Sequence, residues 1–221
     1  TVASGVGIQS DLADGPALAL GASESTLLEM TGAYAGILNG GSSVTPYGLV
    51  DLRLAGDASP LMGAGGGIGE RVIQDDAARQ LVYMMEKVVS EGTGRRAQFE
   101  GRPLAGKTGT TQAARDAGVV GFSADYVAGV WMGYDDNTPL TGVTGSGLPA
   151  EIWREAMVRI HEGLPVRQLP MSEPPGRGAN RDGSSSRSRG GGIIENLLRD
   201  LLGGVSSNGS GGRAAPAIGD R

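Results

Sequence analysis

Pro103-Leu104-Ala105-Gly106-Lys107-Thr108-Gly109-Thr110 precedes two β-type segments, Ala117–Ser123 and Tyr126–Tyr134, which are parted only by Ala124-Asp125. That spacing predicts an antiparallel hairpin. Helical patterns surround it. Residues 75–91 place Ala78, Leu81, Val82, Met85, Val88 and Val89 on one face, with Asp75 and Asp76 at the electropositive N-terminal end. Met84 and Met85 read as core filler rather than a ligand pair. Residues 23–39 repeat Leu27, Met30, Tyr34, Ile37 and Leu38 at helical spacing; Thr26 and Glu29 fit a capping box, and Asn39-Gly40-Gly41 ends the run. Gly32 and Gly36 inside it cost about 1 kcal/mol each relative to Ala, which points to close approach of a neighbouring element. Downstream, Pro149 opens a helix whose Ile152, Trp153, Ala156, Met157 and Ile160 share a face. Residues 47–54 alternate weakly as a strand before a turn at Gly56-Asp57. The run from Gly63 to Gly69 reads as a loop, because a phosphate-binding G-x-G-x-x-G fails at Ile68. Helix, strand, hairpin and helix in this order predict an α+β layer fold, an antiparallel sheet flanked by helices.

Composition narrows the function. The 221 residues carry a net charge of -5, which disfavours nucleic acid as a partner. Cysteine is absent, which removes disulfides, thiolate metal sites and cysteine nucleophiles. His161 is the one histidine, so a multi-histidine metal site is impossible. It stands near the end of the last helix, where a solvated or dipole-interacting imidazole is expected. Asp135-Asp136 reads as an acidic turn rather than a metal site, with no other ligand set in view. No apolar run approaches the ~20 residues of a membrane-spanning helix. The first residue is Thr1 and no signal peptide follows, which reads as a fragment or a processed chain.

The composition changes near residue 171. Residues 172–221 hold 12 Gly, 8 Ser and 3 Pro and a net charge of +2, too little apolar surface to offset the entropy of ordering. The expected organisation is therefore a folded body over residues 1–171, net -7, and a disordered tail over 172–221. Within the tail, Ile193, Ile194, Leu197, Leu198, Leu201 and Leu202 make one amphipathic stripe over 193–202. It reads as a marginal helix, or as one that binds a partner or a membrane surface.

The chemistry centres on Lys107, one of only two lysines; the other, Lys87, sits on the polar side of its helix. Two readings compete. Gly101-Arg102-Pro103-Leu104-Ala105-Gly106-Lys107-Thr108 satisfies the nucleotide-binding pattern G-x-x-x-x-G-K-[ST]. Such a loop follows a buried strand and opens into a helix, whereas here polar residues precede it and Gly109-Thr110-Thr111 follows. Alternatively, Lys107-Thr108-Gly109 is the Lys-Thr-Gly motif of penicillin-interacting serine enzymes.

The surroundings favour the second reading. Pro16 through Met30, Ala33-Tyr34-Ala35, Gly92-Thr93-Gly94-Arg95-Arg96-Ala97, Gly106–Thr110, Arg115-Asp116-Ala117, Gly129–Asp136 and Leu148-Pro149-Ala150-Glu151-Ile152-Trp153 form an ordered set. Together they resemble the class A penicillin-binding proteins, bifunctional cell-wall synthases with a glycosyltransferase and a transpeptidase domain. The resemblance covers the C-terminal part of the transpeptidase domain. Gly118-Val119-Val120 departs from the aromatic residues common at that place in the family, and Tyr134 from the usual Asn. The family's Ser-x-x-Lys nucleophile is absent, since Met84 and Leu104 stand three residues before the two lysines. Its Ser-x-Asn occurs only as Ser206-Ser207-Asn208, in the tail and out of family order, which reads as chance.

The resemblance implies the serine β-lactamase/penicillin-binding fold and D-Ala-D-Ala acyl transfer, with this chain inactive alone. It implies Lys107 and the Thr110 N–H in catalysis, and Thr108, Gly109 and Thr110 in substrate binding. It implies no metal or cofactor, stem peptides and β-lactams as ligands, and partners in the division or elongation machinery. The parent would work on the periplasmic face of the cytoplasmic membrane, anchored there by a segment that is not in this chain. A noncatalytic module binding cell-wall peptide is the remaining alternative.

Overall fold

Alternation of small and apolar residues builds the central sheet. The computed structural model describes residues 2–21, 23–63 and 66–175. Strands β5 (Ala105–Thr110), β6 (Asp116–Phe122) and β7 (Val127–Gly133) pair antiparallel in that order; the elements that precede them in the chain are introduced below. The register aligns Lys107 with Val120 and Gly129, and Gly109 with Gly118 and Trp131. Because side chains alternate, Val119 and Phe122 point to opposite faces. Val119 joins Leu104, Ala150, Trp153 and Met157, so helix α4 (Leu148–Ile160) covers one face. Trp153 is fully buried and its Nε1–H donates to Ala128 O at 2.9 Å, which satisfies the indole as burial requires. Gly121 makes room for that ring: an added Cβ would lie 2.9 Å from Trp153 Cζ2.

Phe122 and Ala105 join Val82 and Met85 of α3 (Asp75–Ser90), with Tyr34, Ile37 and Leu38 of α2 (Leu27–Leu38) against them, on the opposite face. Helices thus lie on both faces of the sheet. Helix α3 keeps the expected face, but of the two methionines only Met85 is buried, while Met84 is 50% exposed. Lys87 stays on the polar side, 2.9 Å from Glu91. Helix α2 begins at the expected capping box rather than at residue 23: Thr26 Oγ1 accepts from Glu29 N, and Glu29 Oε2 accepts from Thr26 N. Glu29 Oε1 also accepts from the amides of Gln9 and Ser10, and Oε2 from the hydroxyls of Ser10 and Ser25. These donors, the Ser10 hydroxyl foremost, hold its carboxyl down to about 2. Beside it, Val6 and Ile8, which follow the short helix α1 (Val2–Gly5), pack on Ala33. The expected close approach occurs at Gly36, where a Cβ would stand 2.7 Å from Ser42 O.

Two ribbons lie between α2 and α3. Strand β1 (Ser42–Thr45) pairs with β4 (Gly67–Arg71), and β2 (Asp51–Leu52) pairs with β3 (Met62–Gly63), both antiparallel. The strand expected over 47–54 shrinks to Asp51–Leu52. The glycine run is not all loop, because part of it pairs as β4. Pairing with β1 supplies ladder bonds that glycine's own low strand propensity does not announce.

Past α4 the chain turns back across the body. Arg102, its side chain 4% exposed, donates to Leu164 O at 2.9 Å and Pro165 O at 3.0 Å, and lies 3.4 Å from Asp125 Oδ2. Leu169 then enters the core with Phe122, and Ser172 N donates to Arg79 O. His161, expected to be solvated or to interact with the helix end, is 6% exposed. Its Nδ1 meets Met157 O at 2.7 Å, the helix-end contact expected, but its Nε2 meets Ser123 Oγ at 2.8 Å under the Tyr126 ring. Among the described residues no helix is long and apolar enough to cross a membrane. The stripe at 193–202 and Ser206-Ser207-Asn208 lie outside the described residues.

Candidate active site

Lys107, Thr108, Gly109 and Thr110 fall within β5, one of the two edge strands of the three-stranded sheet. Alternation sends Lys107 and Gly109 to one face and Thr108 and Thr110 to the other. The chain continues as strand through Thr110, passes a short turn at Gln112–Ala114 and enters β6, so no helix opens after Lys107-Thr108. Lys107 is exposed, and its Nζ donates to Thr108 O at 2.7 Å. Gly109 is exposed, and a Cβ there would meet nothing within 4 Å, so the strand backbone is approachable at that residue.

The two threonine hydroxyls differ. Thr108 is 9% exposed and its Oγ1 lies 2.6 Å from Thr93 Oγ1. Thr110 is exposed, and its Oγ1 accepts from Gly145 N at 3.0 Å. The β7–α4 connection reaches this place only because residue 145 is glycine: a Cβ there would overlap the carbonyl oxygens of Gly109 and Gly118. Arg115 donates to Asn137 O at 2.6 Å, and Asp116 Oδ1 accepts from the Trp131 indole at 3.0 Å, which holds the β6–β7 end of the sheet together. Asp136 caps the turn after β7; hydrogen bonds from Thr138, its side chain first, hold its carboxyl below the usual range.

Sequence reasoning assigned no role to Thr93 or Gly145. Thr93 stands between Gly92 and Gly94, and a hydroxyl between two glycines is a signal of sorts. Gly145 carried none, since its contact with Thr110 spans 35 residues.

Comparison with known proteins adds to this geometry. The family described as penicillin binding protein transpeptidase domain matches residues 4–143. The chain is 37% identical over 159 residues to penicillin-binding protein 1A of Aquifex aeolicus, covering 72% of this chain and 21% of that protein. It is 41% identical over 106 residues to penicillin-binding protein 1B of Vibrio cholerae, covering 47% of this chain and 13% of that one. In structure it is similar to PonA1 of Mycobacterium tuberculosis in complex with penicillin V, with TM-score 0.68 and 27% identity over 77% of this chain and 51% of that one. Penicillin-binding protein 1A of Haemophilus influenzae superposes with TM-score 0.66 and 29% identity, covering 78% and 31% of the two chains. The chain thus spans about a fifth of the length of the Aquifex and Neisseria relatives it matches, 21% in each case.

Proposed function

From the premise that this chain belongs to the penicillin-binding protein transpeptidase family, we propose that β5 is the substrate-facing strand of a D,D-transpeptidase that cross-links peptidoglycan. The single observation that carries the reading is the edge position of β5, with Lys107, Gly109 and Thr110 exposed along it.

In this reading an extended stem peptide ending in D-Ala-D-Ala lies along β5, its backbone close to Gly109. Thr108 and Thr110 hold the terminal carboxylate, which fixes the scissile carbonyl in a reactive position. A serine nucleophile, which no Ser-x-x-Lys of this chain supplies, attacks that carbonyl; the peptide C–N bond breaks and D-Ala leaves with a proton on its amine. The Thr110 N–H is one donor to the oxyanion. An amine of a neighbouring stem then attacks the acyl-enzyme, forming the cross-link and returning the proton to the serine. Lys107 supplies positive charge and a path for protons, and β-lactams acylate the same serine. The chain by itself is inactive, and the whole protein works on the periplasmic face of the cytoplasmic membrane with division or elongation partners.

The test joins the chain to an upstream Ser-x-x-Lys segment of the same family and exposes it to fluorescent penicillin. A stoichiometric label that depends on Lys107 supports the reading. Failure of a folded, joined protein to acylate, or magnesium-dependent ATP binding that Lys107→Ala abolishes, overturns it.

A further inference from the structure

We infer that Thr93 is a positioning residue for a carboxylate-bearing ligand, ordering the Thr108 hydroxyl so that the pair presents a proton to it; the inference rests on the reading of β5 as a substrate strand. A hydroxyl has one proton and two lone pairs. Thr93 Oγ1 and Thr108 Oγ1 lie 2.6 Å apart, so one of them donates to the other and the pair keeps one free proton. If Thr93 donates, the proton of Thr108 is free on the strand. If Thr108 donates, the proton of Thr93 is free at the exposed end of the pair. Either way an approaching acceptor meets an O–H. Without Thr93, the Thr108 hydroxyl is a free rotor that the ligand itself must order.

The second hydroxyl is set the same way by different means. The Gly145 N–H occupies a lone pair of Thr110 Oγ1 at 3.0 Å, which leaves the Thr110 proton to donate outward. Lys107 Nζ lies against Thr108 O at 2.7 Å and adds positive charge. Thr110 and the Thr93–Thr108 pair therefore each present an O–H on the same face of β5. A carboxylate, which only accepts, matches both, whereas an ester lacks the charge that strengthens such bonds.

Amide NMR spectra of the 221-residue chain test this, with N-acetyl-D-Ala-D-Ala and its C-terminal methyl ester as probes read at Lys107–Thr110. The unsubstituted chain is expected to favour the acid. Thr93→Val, similar in shape but without the hydroxyl, should lose roughly three- to tenfold in affinity for the acid and little for the ester, the cost of ordering a freed side chain on binding. Thr93→Ser should restore the preference, and Thr93→Ala gives the same comparison if valine disturbs the fold. A Thr93→Val chain that keeps the full preference for the acid overturns the role of Thr93. So does one that loses acid and ester alike, because that marks a purely structural contact. An unsubstituted chain that fails to distinguish the probes, or binds neither, overturns instead the carboxylate reading of β5.

Discussion

The Ser123 hydroxyl and His161 Nε2 lie 2.8 Å apart and join the β6–β7 turn to the end of α4. Ser123 Oγ also accepts from Asp125 N at 3.1 Å and Tyr126 N at 3.2 Å. Both side chains are buried, so removing the hydroxyl leaves an imidazole nitrogen unpaired away from water and takes the acceptor from two part-buried amides. Ser123→Ala should therefore destabilise the fold by about 1–3 kcal/mol. Urea denaturation monitored by circular dichroism measures it, with the exposed Ser59→Ala expected to stay within about 0.5 kcal/mol. Equal midpoints for the two variants would show that the Ser123–His161 pair contributes nothing.

Gly121 offers a test of the core. Its added Cβ would lie 2.9 Å from both Ala105 O and Trp153 Cζ2, and the first of these is backbone that cannot swing aside. Gly121→Ala should destabilise by about 1–3 kcal/mol through overpacking. Gly48→Ala, where a Cβ meets open space, is the control. Thermal melts that leave Gly121→Ala as stable as this control would refute the packing assigned to Trp153.

Glu29 sets an acid limit. Its carboxyl is held down to about 2, below its ordinary value of 4.5. A depressed carboxyl stabilises the fold above its unfolded value and loses that contribution as pH falls through the folded one. The melting temperature should therefore drop as pH falls from 4.5 toward 2. Glu29→Gln should melt lower at neutral pH and converge with the unsubstituted protein toward the acid end. A constant difference across that range would show that the Ser10 and Thr26 bonds do not depend on the charge.

Two predictions concern the chemistry. The chain alone should form no covalent penicillin adduct, because neither lysine has a serine three residues before it. A labelled band on a denaturing gel would place a nucleophile elsewhere in these residues.

Joined to an upstream Ser-x-x-Lys segment, Lys107→Ala should slow penicillin acylation by at least about 100-fold, the usual contribution of a proton-transfer group. Lys87→Ala, on an exposed helix face beside Glu91, should leave the rate within about twofold. Stopped-flow acylation rates decide the matter; equal effects from the two lysines would remove Lys107 from the reaction.

Local signals made much of this fold legible. The capping box at Thr26 and Glu29, the buried stripe of Ala78, Val82, Met85 and Val89, and the β6–β7 hairpin are short-range features, and each stands where the sequence put it. The features that escaped notice depend on distant partners. Gly67–Arg71 becomes a strand through β1, a pairing its glycines conceal. His161 is buried because Ser123, 38 residues earlier, receives it. The motif at Lys107–Thr110 was visible, but the groups that hold its two hydroxyls, Thr93 and Gly145, come from separate loops. No periodicity relates those loops to β5.

Arg102 gives the molecule an order of assembly. Its guanidinium enters the body with Asp125 on one side, but its two shortest bonds are to the carbonyls of Leu164 and Pro165. During synthesis, β5, β6 and β7 emerge from the ribosome well before those carbonyls do. Until Pro165 appears, the guanidinium keeps its water shell and the contact that fastens the segment after α4 to the approach of β5 is not made. A ribosome stalled before those residues would therefore display a chain whose Arg102 still lies in water and whose closing segment is not yet in place.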